Sequence, residues 1–274
     1  MSPSPPSAPA WSDHELAANP HGHADKPEKV RAMFAAIARS YDLNNRLHSL
    51  WRDQAWRRFA VRRAAVQPSD RVLDVACGTG DLTEAFVKAG AAEVVGLDFT
   101  PAMLDLAREK APRHLGARSS RVSYLQGDAQ NLPFPDATFD VVSIAFGIRN
   151  VQNPAQALRE FRRVLRDSGR LVVLEFSEPR FAPVRWFNNF YCRRIMPLTA
   201  TLISGDKSGA YKYLPKSVAT FLPEREFVRL LGECGFVNTG VARLSLGICN
   251  CYWAQTAGQS RVSSAPGPSE KNSR

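Results

Sequence analysis

Several things are scarce in this 274-residue chain, and each scarcity closes off a class of function. No apolar run approaches the roughly 20 residues that a helix needs to cross a bilayer, so no membrane span is expected. The opening stretch "MSPSPPSAPAWSDHELAANPHGHADKPEK" lacks a charged start followed by an apolar block, so it does not read as a secretory signal. The five cysteines, at 77, 192, 234, 249 and 251, form no CxxC pair and share no ligand spacing with histidine. No metal site is expected, and so scattered a set suits a reducing cytosol. Acids are outnumbered, 26 against 36 basic residues, for a net charge of +10. Nucleic acid, an anionic membrane surface or an ordinary solvated face would each account for that excess. No RNA-binding signature and no aromatic-interleaved basic strand supports nucleic acid.

What is present suits one α/β domain with decorations. Residues 1–26 and 257–274, rich in Pro, Ser and Ala or in small polar residues, are expected to be disordered. Between them, 27–256 reads as a single catalytic domain. Val30, Met33, Phe34, Ile37 and Tyr41 form an i, i+3, i+4, i+7 stripe, predicting a helix over 29–41. An arginine-rich helix over 50–66 follows, completing a helical cap (27–68). Strand patterns at 71–76, 93–98, 121–126, 140–145 and 170–176 then alternate with helical ones at 81–89, 101–110 and 154–166. Thr100-Pro101 and Asn153-Pro154 each place a capping residue before a proline at the first helical position. The alternation predicts a doubly wound, mostly parallel sheet of Rossmann-like type. Periodicity weakens over 178–221, an aromatic and basic stretch that suits a substrate-facing insert. A helix at 224–233 and a β-hairpin at 236–244 and 247–254 close the domain.

The most informative stretch is "RVLDVACGTGDLTEAF", where an apolar strand turns through Gly78-Thr79-Gly80 into a helix. A dinucleotide-binding turn would carry a third glycine where Thr83 stands. The turn carries acids instead, Asp74 before it and Asp81 after it, and acids repel phosphate. Asp98 ends the second strand, where a carboxylate can accept both ribose hydroxyls. Asp128 and Ala129 follow the third, where a carboxylate or amide can meet an adenine amino group. Singly, each acid has an ordinary structural explanation. Together beside Gly78, Thr79 and Gly80 they fit a phosphate-free, cationic adenosine ligand, S-adenosyl-L-methionine.

After the fourth strand comes "IAFGIRNVQNPAQAL". Arg149, at the end of a buried strand, needs a partner. Two readings stand: an internal salt bridge, with Glu175 as a candidate partner, or an anion-stabilising donor beside the transferred methyl. At this point the chain resembles the C-methyltransferases of menaquinone and ubiquinone biosynthesis. The motifs are "VRAMFAAIARSYDLNNRL", "WRDQAWRR", "VLDVACGTGDLT", "GDAQNLPFPDATFDVVSIAFGIRNV", "GRLVVLEFSEP" and "YKYLPKSVATFLPEREF". They run in family order over most of the chain, departing from the family pattern at Asn44, His48, Asp53 and the Arg166–Gly169 turn.

The resemblance implies a class I methyltransferase in which Thr79, Asp98 and the Asp128-Ala129 pair contact the cofactor. The acceptor it implies is a polyprenylated quinol methylated at a ring carbon, with demethylmenaquinol favoured by the Asp53 variant and the benzoquinol intermediate of the ubiquinone route as the alternative. Arg149 and Asn150 would stabilise and orient the ring hydroxyl, with Tyr41 and Asp42 assisting from the first helix. Asp42 and Asp53 are candidate bases, though either residue also suits a helix cap. Tyr211 and Tyr213 suit either a ring pocket or aromatic packing in the insert. Phe181, Trp186, Phe187, Phe190 and Tyr191, interleaved with arginines, suggest a cytoplasmic enzyme that docks on an anionic inner leaflet. A homodimer or a place in a biosynthetic complex is compatible with the same sequence, as is a scaffold that binds the cofactor without turnover.

Overall fold

The computed structural model describes residues 10–17, 19–204 and 209–258. Seven strands form one sheet: β1 (Arg71–Val75), β2 (Glu93–Asp98), β3 (Val122–Gln126), β4 (Phe139–Ala145), β5 (Leu165–Phe176), β6 (Phe236–Leu244) and β7 (Cys249–Thr256). Their order is β3-β2-β1-β4-β5-β7-β6. The first five pair in parallel, and β7 runs antiparallel to both of its neighbours. Among the described residues the α-helices are α1 (Asp13–Ala17), α2 (Lys26–His48), α3 (Arg52–Ala64), α4 (Asp81–Lys88), α5 (Pro101–Leu115), α6 (Pro154–Val164), α7 (Ala182–Phe190), α8 (Met196–Ser204), α9 (Ala210–Ala219) and α10 (Glu224–Glu233).

The expected doubly wound architecture is what these residues build. Central strands are apolar on both sides because both faces are covered. Leu73, Val75, Val142 and Ile144 face α6 and α10 through Leu158, Phe161, Phe227 and Leu231. Val72, Val94, Val141 and Val172 face α3, α4 and α5 through Trp56, Ala60, Phe86 and Ala111. Each fully buried phenylalanine among these contributes on the order of 1.5–3 kcal/mol of burial. The chain moves outward from β1 to β3, then returns to the other side of β1 as β4. That reversal opens a crevice beyond the carboxyl ends of β1 and β4, where open α/β sheets bind ligands.

Four expectations need correction. The segment before residue 27 is ordered over 10–17 and 19–26, because Trp11 and Leu16 are buried against Met33, Ile37, Ala210 and Tyr213. The expected tail beyond residue 258 lies outside the described residues. Helix α2 runs to His48 rather than stopping near Tyr41. Asn44, buried within it, donates from Nδ2 to Ser40 O at 3.2 Å, so a residue that often breaks helices here supports one. Strand β5 begins five residues early, since Leu165 pairs with Phe139. Finally, the described part of 178–221 is largely helical, over 182–204 and 210–219. A wide π turn at Tyr191–Ile195 joins α7 to α8 and dephases the apolar stripe that would have revealed them.

Candidate active site

The turn after β1 is built for close approach. Gly78 and Gly80 adopt φ of +56° and +87°, and a Cβ on Gly80 would lie 2.5 Å from the Tyr124 hydroxyl. Asp98, at the end of β2, holds the turn in place. Its Oδ2 accepts from Gly78 N at 2.8 Å and its Oδ1 from Thr100 N at 2.8 Å. Burial pushes the Asp98 carboxyl upward and these N–H donors pull it back.

Beyond the strand ends lies a cavity. Gly78 and Asp98 form one wall, and Asp128 and Ala129 another. Val30, Phe34 and Tyr41 of α2 form the roof, while Phe146 and Asn150 come from the β4 side. Leu97, Phe99 and Met103 supply apolar surface between the acids. Of the residues lining it, two are carboxylates and none is cationic. Asp128 is oriented by Gln130, whose backbone N donates to Oδ1 at 2.9 Å. The cavity therefore unites Tyr41, Gly78, Asp98, Asp128, Ala129 and Asn150 of the residues expected from sequence.

The other candidates lie elsewhere. Asp74 is 1% exposed and spends both oxygens inside the fold, accepting from Thr83 Oγ1 and Ser143 Oγ at 2.7 Å each. Burial raises its carboxyl to about 6, the two hydroxyls opposing the rise. With Thr79 it borders a smaller adjoining recess beside Arg57 and Asp81. Gly80 borders neither space and serves the turn. Asp42 accepts from Thr79 Oγ1 at 2.5 Å and from Lys110 Nζ at 2.7 Å, so it ties α2 to the turn after β1 and to α5. Asp53 is taken up by Ser49, Gln54 and Arg57. Neither candidate base lines the cavity.

Arg149 requires the clearest correction. It is 4% exposed, and Nη1 donates to Glu175 Oε1 at 2.7 Å and to Phe146 O at 2.6 Å. Nε donates to Ser217 Oγ at 3.3 Å. The guanidinium sits behind the cavity wall as the salt-bridge reading expected, and its neighbour Asn150 is the residue of the pair that reaches the cavity. Asn150 is held at both ends of its amide. Nδ2 donates to Phe146 O at 3.3 Å, and Oδ1 accepts from Tyr213 Oη at 3.0 Å. Tyr213 is thus packed against the N-terminal segment and α2, and meets the cavity lining through Asn150. Sequence reading missed Gln152, whose Oε1 is buried without a partner on the cavity side of the fold, and Lys110, which no motif marks.

The profile of the ubiE/COQ5 methyltransferase family matches residues 23–256. The chain belongs to this family. A demethylmenaquinone methyltransferase of Deinococcus radiodurans is 43% identical over 229 residues, covering 83% of this chain and 92% of its own. One of Thermus thermophilus is 45% identical, covering 78% and 99%. A ubiquinone/menaquinone biosynthesis C-methyltransferase of Geotalea daltonii is 40% identical, covering 83% and 96%. Among solved structures, the [4+2]-cyclase SpnF superposes with a TM-score of 0.63 at 16% identity, covering 85% of this chain and 96% of that one. A SAM-dependent methyltransferase from Aquifex aeolicus superposes at 0.50 with 19% identity, covering 70% and 84%. These two likenesses speak for the fold alone, and one of them is named as a cyclase. For this member of the ubiE/COQ5 family the chemistry must therefore be argued from the cavity.

Proposed function

We propose that this chain transfers the sulfonium methyl of S-adenosyl-L-methionine to a ring carbon of a polyprenylated naphthoquinol, converting demethylmenaquinol to menaquinol. The observation that carries the reading is the cavity's charge: two strand-end carboxylates beside a glycine turn and no lining cation. That set fits a cationic adenosine compound and disfavours a phosphate-bearing dinucleotide. Asp98 would hold the ribose hydroxyls and Asp128 and Ala129 the adenine, with Leu97, Phe99 and Met103 offering apolar surface to the base. Thr79 and Asp74 act from behind, shaping the turn.

S-adenosylmethionine supplies the electrophilic methyl, and every other requirement falls on the protein. A ring carbon becomes nucleophilic when the neighbouring hydroxyl ionises and its charge spreads to that carbon. Asn150, with one N–H engaged by Phe146 O, offers its second to the acceptor oxygen. Burial raises the Tyr41 hydroxyl above its usual range, so it stays protonated and serves as a donor. Arg149 positions this turn through Glu175. The apolar roof from α2 excludes water and aligns the ring carbon for in-line displacement.

The insert supplies the surface for an isoprenoid tail. Phe181 just before α7, Trp186, Phe187 and Phe190 along it, and Leu198 and Leu202 along α8 are exposed. Arg185 and Arg194 lie exposed among them. An apolar strip rimmed by cations suits peripheral docking on an anionic bilayer. No helix among the described residues is long and apolar enough to cross a membrane. Flotation with anionic liposomes at low salt should carry the protein upward, and an unbound protein would remove this part of the reading.

The function is tested with labelled S-adenosylmethionine and two short-chain reduced acceptors, a demethylmenaquinol and a benzoquinol. Transfer to the naphthoquinol is expected, with kcat reduced about 100-fold in Asn150→Ala while cofactor binding is retained. Transfer to the benzoquinol alone would reassign the substrate. Cofactor binding without transfer to either would leave a scaffold role.

A further inference from the structure

The approach to the site from the N-terminal side contains a buried cation that the reaction above does not use. Lys26, the first residue of α2, is 1% exposed and makes no ion pair among the described residues. Its ammonium donates to Val151 O at 2.7 Å and to Arg149 O at 3.0 Å. Its third N–H faces His21 Nδ1 at 3.2 Å. The other ring nitrogen, Nε2, lies 2.9 Å from the carbonyl oxygen of Ser217. A carbonyl only accepts, so Nε2 carries the proton and Nδ1 is the bare acceptor that Lys26 needs. Burial lowers the His21 pKa, in keeping with a neutral ring. Arg149 Nε, donating to the Ser217 hydroxyl, closes the circuit.

The two carbonyls gripped by Lys26 belong to the residues on either side of Asn150. The same turn is held twice more from the segment before α2. Gln152 Nε2 donates to His23 O at 3.2 Å, and Tyr213, which donates to the Asn150 amide, stacks on Trp11 at 4.9 Å. Fixing a peptide plane on both flanks fixes the direction of the side chain between them. A neutral donor or a solvent-facing turn would hold the backbone with less desolvation than a buried ammonium. The three N–H donors of Lys26, by contrast, match three acceptors that no carboxylate screens.

We propose that Lys26, oriented by His21, is a positioning residue for methyl transfer, holding the 149–151 peptide so that the Asn150 amide points into the cavity. The proposal rests on the methyltransferase reading of that cavity. It makes the segment before α2 part of the active-site support.

Charge on Lys26 is needed for all three donations. Burial, then the nearby Arg149 charge, lower its pKa to about 8. The groups facing this cluster are His21 on the turn before α2, Arg149 after β4 with Glu175 on β5, and Tyr213 on α9. His21 is already neutral at pH 7, and burial pushes the Tyr213 hydroxyl up to about 12. Raising the pH through 8 therefore replaces one donor of Lys26 with a lone pair aimed at an acceptor.

The test compares full-length wild type, Lys26→Met and His21→Gln in three measurements. These are quinol methylation from about pH 6.5 to 9.5, S-adenosylhomocysteine affinity, and amide exchange of residues 146–153. Lys26→Met should lower kcat about tenfold or more while the nucleoside affinity stays within about twofold. Its exchange should rise in 146–153, and it should lose the decline in kcat that wild type shows above pH 8. His21→Gln keeps a donor for Ser217 but withdraws the Nδ1 acceptor, so a smaller loss, about threefold, is expected. Unchanged kcat, or a fall in nucleoside affinity that matches the fall in kcat, would overturn the proposal. If wild type itself methylates no quinol, the functional reading fails separately. The exchange comparison still decides the clamp, because unaltered exchange over 146–153 overturns it regardless of substrate.

Discussion

The helix that roofs the cavity is anchored by opposite chemistry at its two ends. At the C-terminal end of α2, Asp42 and Arg46 meet Lys110 and Asp81, with Lys110 Nζ at 2.7 Å from both acids. Positive and negative groups alternate there, and little charge is left over. At the N-terminal end Lys29 pairs with Glu15 and Asp25 near the surface, while the buried Lys26 ammonium sits among carbonyls and an imidazole, with no counter-ion on it among the described residues. The first arrangement holds helices together while remaining tolerant of a partner's loss. The second is specific in direction and costly to bury. A roof that must let ligands in while keeping one side chain aimed has a use for both.

Each anchor can be broken separately. The largest effect is expected behind the N-terminal one, where Glu175 and Arg149 have side chains 3% and 5% exposed. Glu175→Gln leaves the guanidinium buried without its counter-charge and should cost about 3–5 kcal/mol in urea unfolding at pH 7. A loss below 1 kcal/mol would show that the turn relaxes to solvent.

The two ends should next respond to pH in separate windows, each gaining stability as the pH rises through its own. Lys26 has a folded pKa of about 8, below its unfolded value of 10.5, so the folded state releases this proton first. Its contribution to stability therefore rises as pH climbs from 8 towards 10.5, by about 3 kcal/mol relative to Lys26→Met. Methylation by the wild type should fall over the same range, separating stability from positioning. At the other end Asp81 is held at about 2: burial raises it, but Arg57, Lys110 and Arg46 lower it further. A depressed carboxylate stabilises above its unfolded pKa and loses that support as pH falls through the folded one. Between about pH 4 and 2 the wild type should lose about 2 kcal/mol relative to Asp81→Asn. Equal slopes for variant and parent would refute either assignment.

The smallest effect belongs to Arg46, 3.2 Å from Asp81 and 3.7 Å from Asp42 with its side chain 27% exposed. Arg46→Gln should cost about 0.5–1 kcal/mol at low ionic strength and almost nothing near 1 M salt. A cost that persists in salt would mean packing, not charge, joins this end of the roof.

Much of the fold was legible because its signals are local. Strand β2 and helix α10 lie where their patterns placed them, and the closing hairpin forms from the two alternating stretches. Composition misled at the N-terminal segment. Proline and serine suggested disorder, yet two buried apolar residues, Trp11 and Leu16, dock it. In the site, the expected residues that line the cavity include those whose position at a strand end fixes their direction, Asp98 and Asp128. Asp74, inside strand β1, and Arg149, in the turn after β4, instead face partners within the fold. Whether a polar side chain faces a cavity or a neighbouring strand depends on partners far away in sequence, such as Ser143 and Glu175. Lys26 carried no signal at all. Its three acceptors come from two separate parts of the chain, His21 and the turn at 149–151.

The position of β7 has a consequence for how the molecule is made. The strand nearest the C-terminus is an interior one, bonded to β5 on one side and β6 on the other. While the polypeptide is still emerging from the ribosome, β5 presents an open edge, and β6 has nothing to join until β7 follows it out. A translation product halted before residue 249 would keep the whole ligand crevice yet expose a long apolar strand, Leu171 to Leu174, to any passing chain. The nascent protein thus assembles its binding half early and depends on its final strand to become safe from self-association.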